Sequence, residues 1–328
     1  MKINKILALA VFVGAAAAQQ NGAPQNAQVR IEPIRGHIYL LAGAGGNIIA
    51  SIGPDGILLV DSGLKQNAGK VLAALDQLNR EIANRGGLPV TSTVPPKPIR
   101  YIINTHLHPD HTGGNEEISK AGKTITGGNV TGEFGDAAEG ATIVAQQRVL
   151  DRMSEIKPAV PFAGLPSDTY HDDKKLSHFF NGEAVILMHQ PAAHTDGDSI
   201  VYFRGSDVIA TGDIFSTTSY PFIDLQNGGG IQGEIDALNR IMDVAVPEFR
   251  TEGGTLIVPG HGRICDIADV AYYRDMVTII RDRVQNLVKQ DKSLEQVKAA
   301  KLTADWDPRY GSGERFVEAV YKSLSNKK

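Results

Sequence analysis

A layered α/β fold is predicted by three features of this chain. Short apolar strands follow one another across Gly-, Pro- and Asp-containing turns, an amphipathic helix then covers them, and a further strand returns. Several of the apolar runs end in a histidine or an aspartate, so the strand ends carry the chemistry. The 328 residues suffice for a large core, and 42% hydrophobic with 21% charged residues describes an ordinary globule. A net charge of -4 gives no basic footprint, which argues against bulk electrostatic binding of nucleic acid. With Cys265 the single cysteine, neither an intramolecular disulfide nor a cysteine-rich metal motif is available.

Taken in order, the chain starts with Lys2 and Lys5, an apolar run from Ile6 to Val13 and small residues from Ala15 to Ala18. That is the pattern of a secretory signal peptide over residues 1–18, too short for a confident spanning helix. Residues 19–28, rich in Gln, Asn and Ala, are expected to be a mobile linker. The remainder, 29–328, is expected to form one exported domain, periplasmic or secreted, without stable membrane insertion once the leader is cleaved.

Strand patterns begin at Val29 and continue through His37-Ile38-Tyr39-Leu40-Leu41, Asn47-Ile48-Ile49-Ala50-Ser51-Ile52 and Gly56-Ile57-Leu58-Leu59-Val60. Strands this apolar require cover on both faces. Asp61 closes the last of them, either as a turn former or as an anchor that orients metal ligands by hydrogen bonding. Val71, Leu75, Leu78 and Ile82 recur at helical spacing, with Gly86-Gly87 as the stop and a proline-rich loop over residues 91–98. The next strand, Arg100-Tyr101-Ile102-Ile103-Asn104, leads into Thr105-His106-Leu107-His108-Pro109-Asp110-His111-Thr112-Gly113-Gly114. Three imidazoles and a carboxylate within six residues, set in a loop broken by Pro109 and the glycines, suit zinc or another borderline metal. His106 and His108 alternate so that both rings face one side, while Asp110 and His111 follow the bend toward a second centre.

His-x-His-x-Asp-His, as His106, His108, Asp110 and His111, resembles the signature of the metallo-β-lactamase superfamily. The resemblance implies a four-layer αββα sandwich: two mixed β-sheets, helices on the outer faces, and a two-metal site at their shared edge. It also implies that Asp61 acts from behind the ligands. Within the same pattern His194, in His194-Thr195-Asp196-Gly197, resembles the third histidine. Asp213, after the strand Val208-Ile209-Ala210, matches the bridging carboxylate of the glyoxalase II-like and ribonuclease Z-like branches. His261, after Thr255-Leu256-Ile257-Val258-Pro259-Gly260, resembles the last histidine. Lactamase branches carry Cys or Ser where Asp213 stands, which weighs against antibiotic hydrolysis. Flavodiiron relatives carry Glu where His108 stands.

The implied arrangement gives one metal His106, His108 and His194, the other Asp110, His111 and His261, with Asp213 between them. Two zinc ions are the expected cofactors, and iron or manganese the alternatives. The catalytic group is then Asp110, His111 and Asp213. Metal-bound hydroxide is the expected nucleophile, since no Gly-x-Ser-x-Gly elbow is present. The expected substrate is a small ester, thioester, lactone or amide. A β-lactamase and a mononuclear iron sulfur dioxygenase are the competing readings, and a non-catalytic binding protein a third.

Three regions complete the reading. Residues 128–180 are expected to form an insertion capping the site, with one helix around Val149, Leu150, Met153 and Ile156; His171 and His178 fall there in a solvated charged loop. Phe215, Tyr220 and Phe222, close after a ligand, are the expected substrate contacts. Helices over residues 266–328 carry a stripe of Val270, Tyr273, Val277, Ile280, Val284 and Leu287 for packing, open also to a subunit contact in a homo-oligomer.

Overall fold

Alternation along the strands decides the architecture. In a computed structural model, which describes residues 28–85, 97–124, 140–248 and 253–325, a seven-stranded sheet is built in chain order. Its strands are β1 (Arg30–Arg35), β2 (Ile38–Ala42), β3 (Ile48–Gly53), β4 (Gly56–Val60), β5 (Ile99–Ile103), β6 (Thr142–Gln146) and β7 (Asp168–Tyr170). The first four pair antiparallel as consecutive hairpins, and β4 through β7 run parallel. A second sheet has the order β12-β11-β10-β9-β8. Its strands are β8 (Lys174–Lys175), β9 (Val185–Gln190), β10 (Asp198–Phe203), β11 (Val208–Ala210) and β12 (Leu256–Val258). Both sheets are mixed, since β11 and β12 pair parallel within an otherwise antiparallel set.

Because successive side chains leave a strand on opposite faces, each sheet has two apolar sides to cover. Ile38, Leu40, Ile49, Leu58, Val60 and Ile103 meet Val185, Leu187, Val201, Phe203 and Val208 in a core between the sheets. Their alternates, Tyr39, Leu41, Ile48, Ile57 and Leu59, pack under Val71, Leu75 and Leu78 of α1 (Ala68–Arg85). On the far side, Met188, Ile200, Ile209 and Ile257 pack against three helices. These are α5 (Ile231–Val244), α6 (Ile267–Lys289) and α9 (Glu314–Ser325). The result is the αββα sandwich. Shorter helices α2 (Pro109–Thr112), α3 (Asn115–Lys120), α4 (Gln147–Glu155), α7 (Leu294–Ala299) and α8 (Asp307–Tyr310) sit at the edges.

The expected capping insertion is different in kind. Where described, residues 140–180 contribute β6 and β7 to the first sheet and β8 to the second, with α4 between them. Ile143, Val144 and Ala145 are buried, so β6 and β7 extend the sandwich within this segment. The helical stripe of α6 is spent on α5 and α9 within the chain, so a second copy would have to meet another face. The signal peptide, most of the linker, the Gly86-Gly87 stop and most of the proline-rich loop lie outside the described residues. Among the described residues, no helix is long and apolar enough to cross a membrane.

Candidate metal centre

Four parallel or edge strands deliver the centre. Asp61 follows β4, the His106–His111 stretch follows β5, Asp213 lies in a single 3-10 turn after β11, and His261 follows β12. His194 comes from the loop joining β9 to β10. Two four-residue groups result, and they share one carboxylate: His106, His108, His194 and Asp213, and Asp110, His111, Asp213 and His261. Within each group the candidate ligand atoms lie within 4.8 Å of one another. All seven sequence-derived ligands therefore converge, across 155 positions from His106 to His261 (261 − 106).

Hydrogen bonds behind the rings set which nitrogen faces inward. His111 Nδ1 donates to Asp61 Oδ2 at 2.7 Å, leaving Nε2 toward Asp213 Oδ1 at 3.2 Å. His106 Nδ1 meets Thr105 Oγ1 at 3.0 Å, and that hydroxyl donates onward to Asp61. His194 Nδ1 donates to the Phe222 carbonyl, and His108 Nε2 donates to Asp224 Oδ2 at 2.9 Å. With those protons placed outward, His194 Nε2 and His108 Nδ1 face each other at 2.9 Å as two lone pairs. Neutral acceptors at that separation repel unless a cation lies between them and the other ligands. In the same interior, His106 Nε2, Asp110 Oδ2, His111 Nε2 and His261 Nε2 are buried without a well-formed hydrogen bond, the last three having only one another and Asp213 at 3.2 Å or more. Buried polar atoms are seldom left so, and four converging on one point fit a metal pair. The donor set of imidazoles and carboxylates suits zinc, iron or manganese alike.

Electrostatics divides the two groups. Burial, then the neighbouring imidazoles, holds His106 well below the usual imidazole range and brings His194 down to about 4. In the second group burial opposes charge, yet Asp213, Asp61 and Asp110 outweigh it and hold His111 well above that range. His261 is raised to about 9, Asp213 and Asp110 outweighing burial.

Two close approaches require glycine. A Cβ on Gly46 would stand 2.3 Å from His111 Cε1, and one on Gly260 would stand 2.0 Å from Asp213 Oδ1. Asp61 itself sits at φ 65, a left-handed conformation that Asp tolerates better than most residues, and accepts from Thr105 N and Oγ1 as well as His111.

The expected substrate contacts separate. Phe222 is half-buried, with its ring 5.8 Å from that of His108 and 5.7 Å from that of His194. Phe215 and Tyr220 do not line the centre. Phe215 is buried in the core edge-on to Tyr273, and Tyr220 stacks on Phe316 while its hydroxyl lies within reach of two acceptors, Asp307 Oδ1 at 2.9 Å and the Thr303 carbonyl at 3.0 Å. Both rings turn inward, under the C-terminal helices. His189 Nε2 meets the Asp196 carbonyl at 3.0 Å, outside either group.

Asp224 was not singled out from the sequence. It orients His108 and also accepts from Gln226 N and Asn227 N; its place before a Leu-Gln-Asn-Gly turn is the capping signal that could have found it. Asp198, buried and accepting from Thr195 N and Oγ1, braces the His194 loop in the same way.

A linear primary-alkylsulfatase of Pseudomonas sp. (strain ATCC 19151) is 21% identical over 306 residues, 82% of this chain and 54% of that protein. A hydroxyacylglutathione hydrolase of Pelagibacter ubique (strain HTCC1062) is 33% identical over 115 residues, 35% of this chain and 36% of that one. The chain thus spans only about half the alkylsulfatase's length and about a third of the hydrolase's. Among solved structures, a stereoselective inverting sec-alkylsulfatase from Pseudomonas sp. matches with TM-score 0.63 and 16% identity over 90% of this chain and 50% of that one. The DIM-1 metallo-beta-lactamase matches with TM-score 0.52 and 15% identity over 77% and 98%. At these identities both likenesses are of fold. The sequence profile of the Metallo-beta-lactamase superfamily matches residues 41–262, and the chain belongs to that family.

Proposed function

We propose that the protein is an exported hydrolase holding two zinc ions, which cleaves a small ester, thioester, lactone or amide. The observation that carries this reading is the pair of ligand groups joined by Asp213, with outward protons on the rings and, inside, ligand atoms without well-formed hydrogen bonds. The relatives named as an alkylsulfatase and a hydroxyacylglutathione hydrolase support ester-type substrates and add sulfate esters to the range. A bound metal pair supplies Lewis acidity toward the substrate's oxygen and activates water near neutral pH.

The chain's own residues hold that chemistry in place. Asp213 keeps Oδ2 3.8 Å from His106 and His194 and Oδ1 3.4 Å from His261, so one carboxylate fixes both halves of the centre. Asp110 Oδ2 lies 3.2 Å from His261 Nε2 and adds a second negative charge there. His261, 30% exposed in its side chain, marks the open side of the second group, and the half-buried Phe222 stands against His108 and His194 of the first. His106, His111 and His194 are fully buried and close the floor to water.

The test is metal analysis of purified protein with hydrolysis assays on aryl esters, thioesters, lactones, alkyl sulfates and nitrocefin. About two metals per chain are expected, with activity lost on chelation and restored by zinc. A metal-free protein of full activity refutes the reading, and oxygen uptake in place of hydrolysis replaces it with the iron dioxygenase. Export is supported by the basic, apolar and small-residue pattern of residues 1–18. Recovery of a chain beginning near Gln19 from outside the cytoplasm tests it.

A further inference from the structure

We propose that Arg148 recognises an anionic group on the substrate, which narrows the substrate class to esters carrying a carboxylate or sulfate. The inference rests on the hydrolase reading above. In parallel sheets, ligands gather at the carboxyl ends of the strands. β5 and β6 are parallel neighbours, with Ile103 opposite Val144 and Asn104 N bonded to the Val144 carbonyl. The end of β5 becomes the histidine loop, so the end of β6, which becomes the first turn of α4, stands beside it. Leu107, between His106 and His108, shares a small apolar cluster with Val149, the residue after Arg148. The second histidine loop closes in from the other side. A Cβ at Gly197, three residues after His194, would lie 3.3 Å from the Cβ of Arg148. Arg148 therefore roots where the two histidine loops meet.

Its surroundings leave the guanidinium available. Arg152, one turn along the same face, is held by Asp196 at 2.8 Å. Arg148 is 60% exposed in its side chain, and its one ion pair among the described residues is with Asp151 at 3.6 Å, beyond a hydrogen bond. Asp151 is already engaged through Oδ1 by Gln147 at 2.8 Å. An exposed pair of that kind contributes little. A planar guanidinium offers two parallel donors that match a carboxylate or sulfate.

Matched substrates that differ by one charged group test this. With zinc-loaded protein, R148A should lower the ratio of kcat/KM for a carboxylated ester to that for its neutral analogue by ~10- to 100-fold, mostly through KM. R148K should recover part of the ratio. R204A, the same charge change in the β10–β11 turn at the opposite end of the strand, should leave it unaltered. A binding readout is independent of turnover: calorimetric titration with hexanesulfonate and with hexanoate should show ~10-fold weaker binding in R148A. Loss with hexanesulfonate alone assigns a sulfate, and loss with hexanoate alone a carboxylate. An unchanged ratio in an active enzyme, or unchanged binding of both anions, overturns the role of Arg148. Absence of hydrolysis in the wild type with anion binding still dependent on Arg148 overturns the hydrolase reading instead.

Discussion

The two ligand groups share Asp213 but differ in how they wait for a metal. The first sets three imidazoles around one carboxylate, and burial keeps His106 and His194 neutral. The second sets two imidazoles among Asp110, Asp213 and the nearby Asp61, which favour the charged rings of His111 and His261. Without metal, protons occupy the second group in the place a cation would take. The difference teaches that one fold edge can offer a centre ready for a metal beside one that must first release protons.

Removing the shared residue should have the largest effect, because it abolishes the distinction. D213A is expected to lose stable binding at both centres and to lower kcat/KM by ~1,000-fold or more. Metal content per chain and steady-state kinetics check it; retention of one full-affinity metal would mean that the groups are independent. The next effect is the pH dependence of metal uptake. His261 is raised to about 9, so its charged form stabilises the metal-free fold below pH ~6.5 and that contribution fades as pH rises through about 9. Metal must displace that proton. His111, also held charged, must give up a second proton, so affinity at the second centre should climb ~100-fold per pH unit near pH 7 and less steeply as pH approaches about 9. With His194 at about 4, the first centre should stay nearly flat over that range. Chelator competition at pH 7, 8 and 9 resolves the two, and parallel slopes would break the contrast.

Those ligands were legible because ligand chemistry is written locally: a dense His/Asp run, and apolar strands that end in a single His or Asp. The sandwich was legible for the same reason, since β2 to β5 and α1 carry strong periodicity. What escaped depends on distant partners. β7 and β8 have three and two residues, too few for any pattern, and only pairing with β6 and β9 defines them. Phe215 and Tyr220 read as adaptable loop aromatics until Tyr273 and Phe316 close over them from α6 and α9. Asp224 lies 116 positions from the histidine it orients.

The orienting carboxylates sharpen the comparison at smaller magnitude. Asp61 holds His111 directly and His106 through Thr105, so D61A should weaken metal binding ~10- to 100-fold, more at the second centre than at the first. D61N, which tolerates the same backbone conformation, separates lost hydrogen bonding from strain. Equal loss at both centres would show that Thr105 transmits as much as the direct bond.

Asp224 serves only the first centre, and its variants should give the smallest change, ~10-fold in affinity there and little at the second. Its carboxyl is brought down to about 2, the bonds from His108 and Asn227 outweighing burial. That stabilisation is present above the unfolded carboxyl range near pH ~4 and is lost as pH falls through about 2, so neutral pH retains it fully. D224A removes both the bond to His108 and the cap on the Leu225–Asn227 turn. D224N keeps only one acceptor oxygen, so it can serve the turn or the ring but not both, and it carries no charge. If the position of the turn alone matters, D224N with its oxygen on the turn should match the wild type in metal titrations at pH 7 while D224A falls. If the carboxylate also strengthens the His108 nitrogen as a donor, D224N should fall between them, and the first centre would then owe part of its readiness to a charge outside its own four ligands.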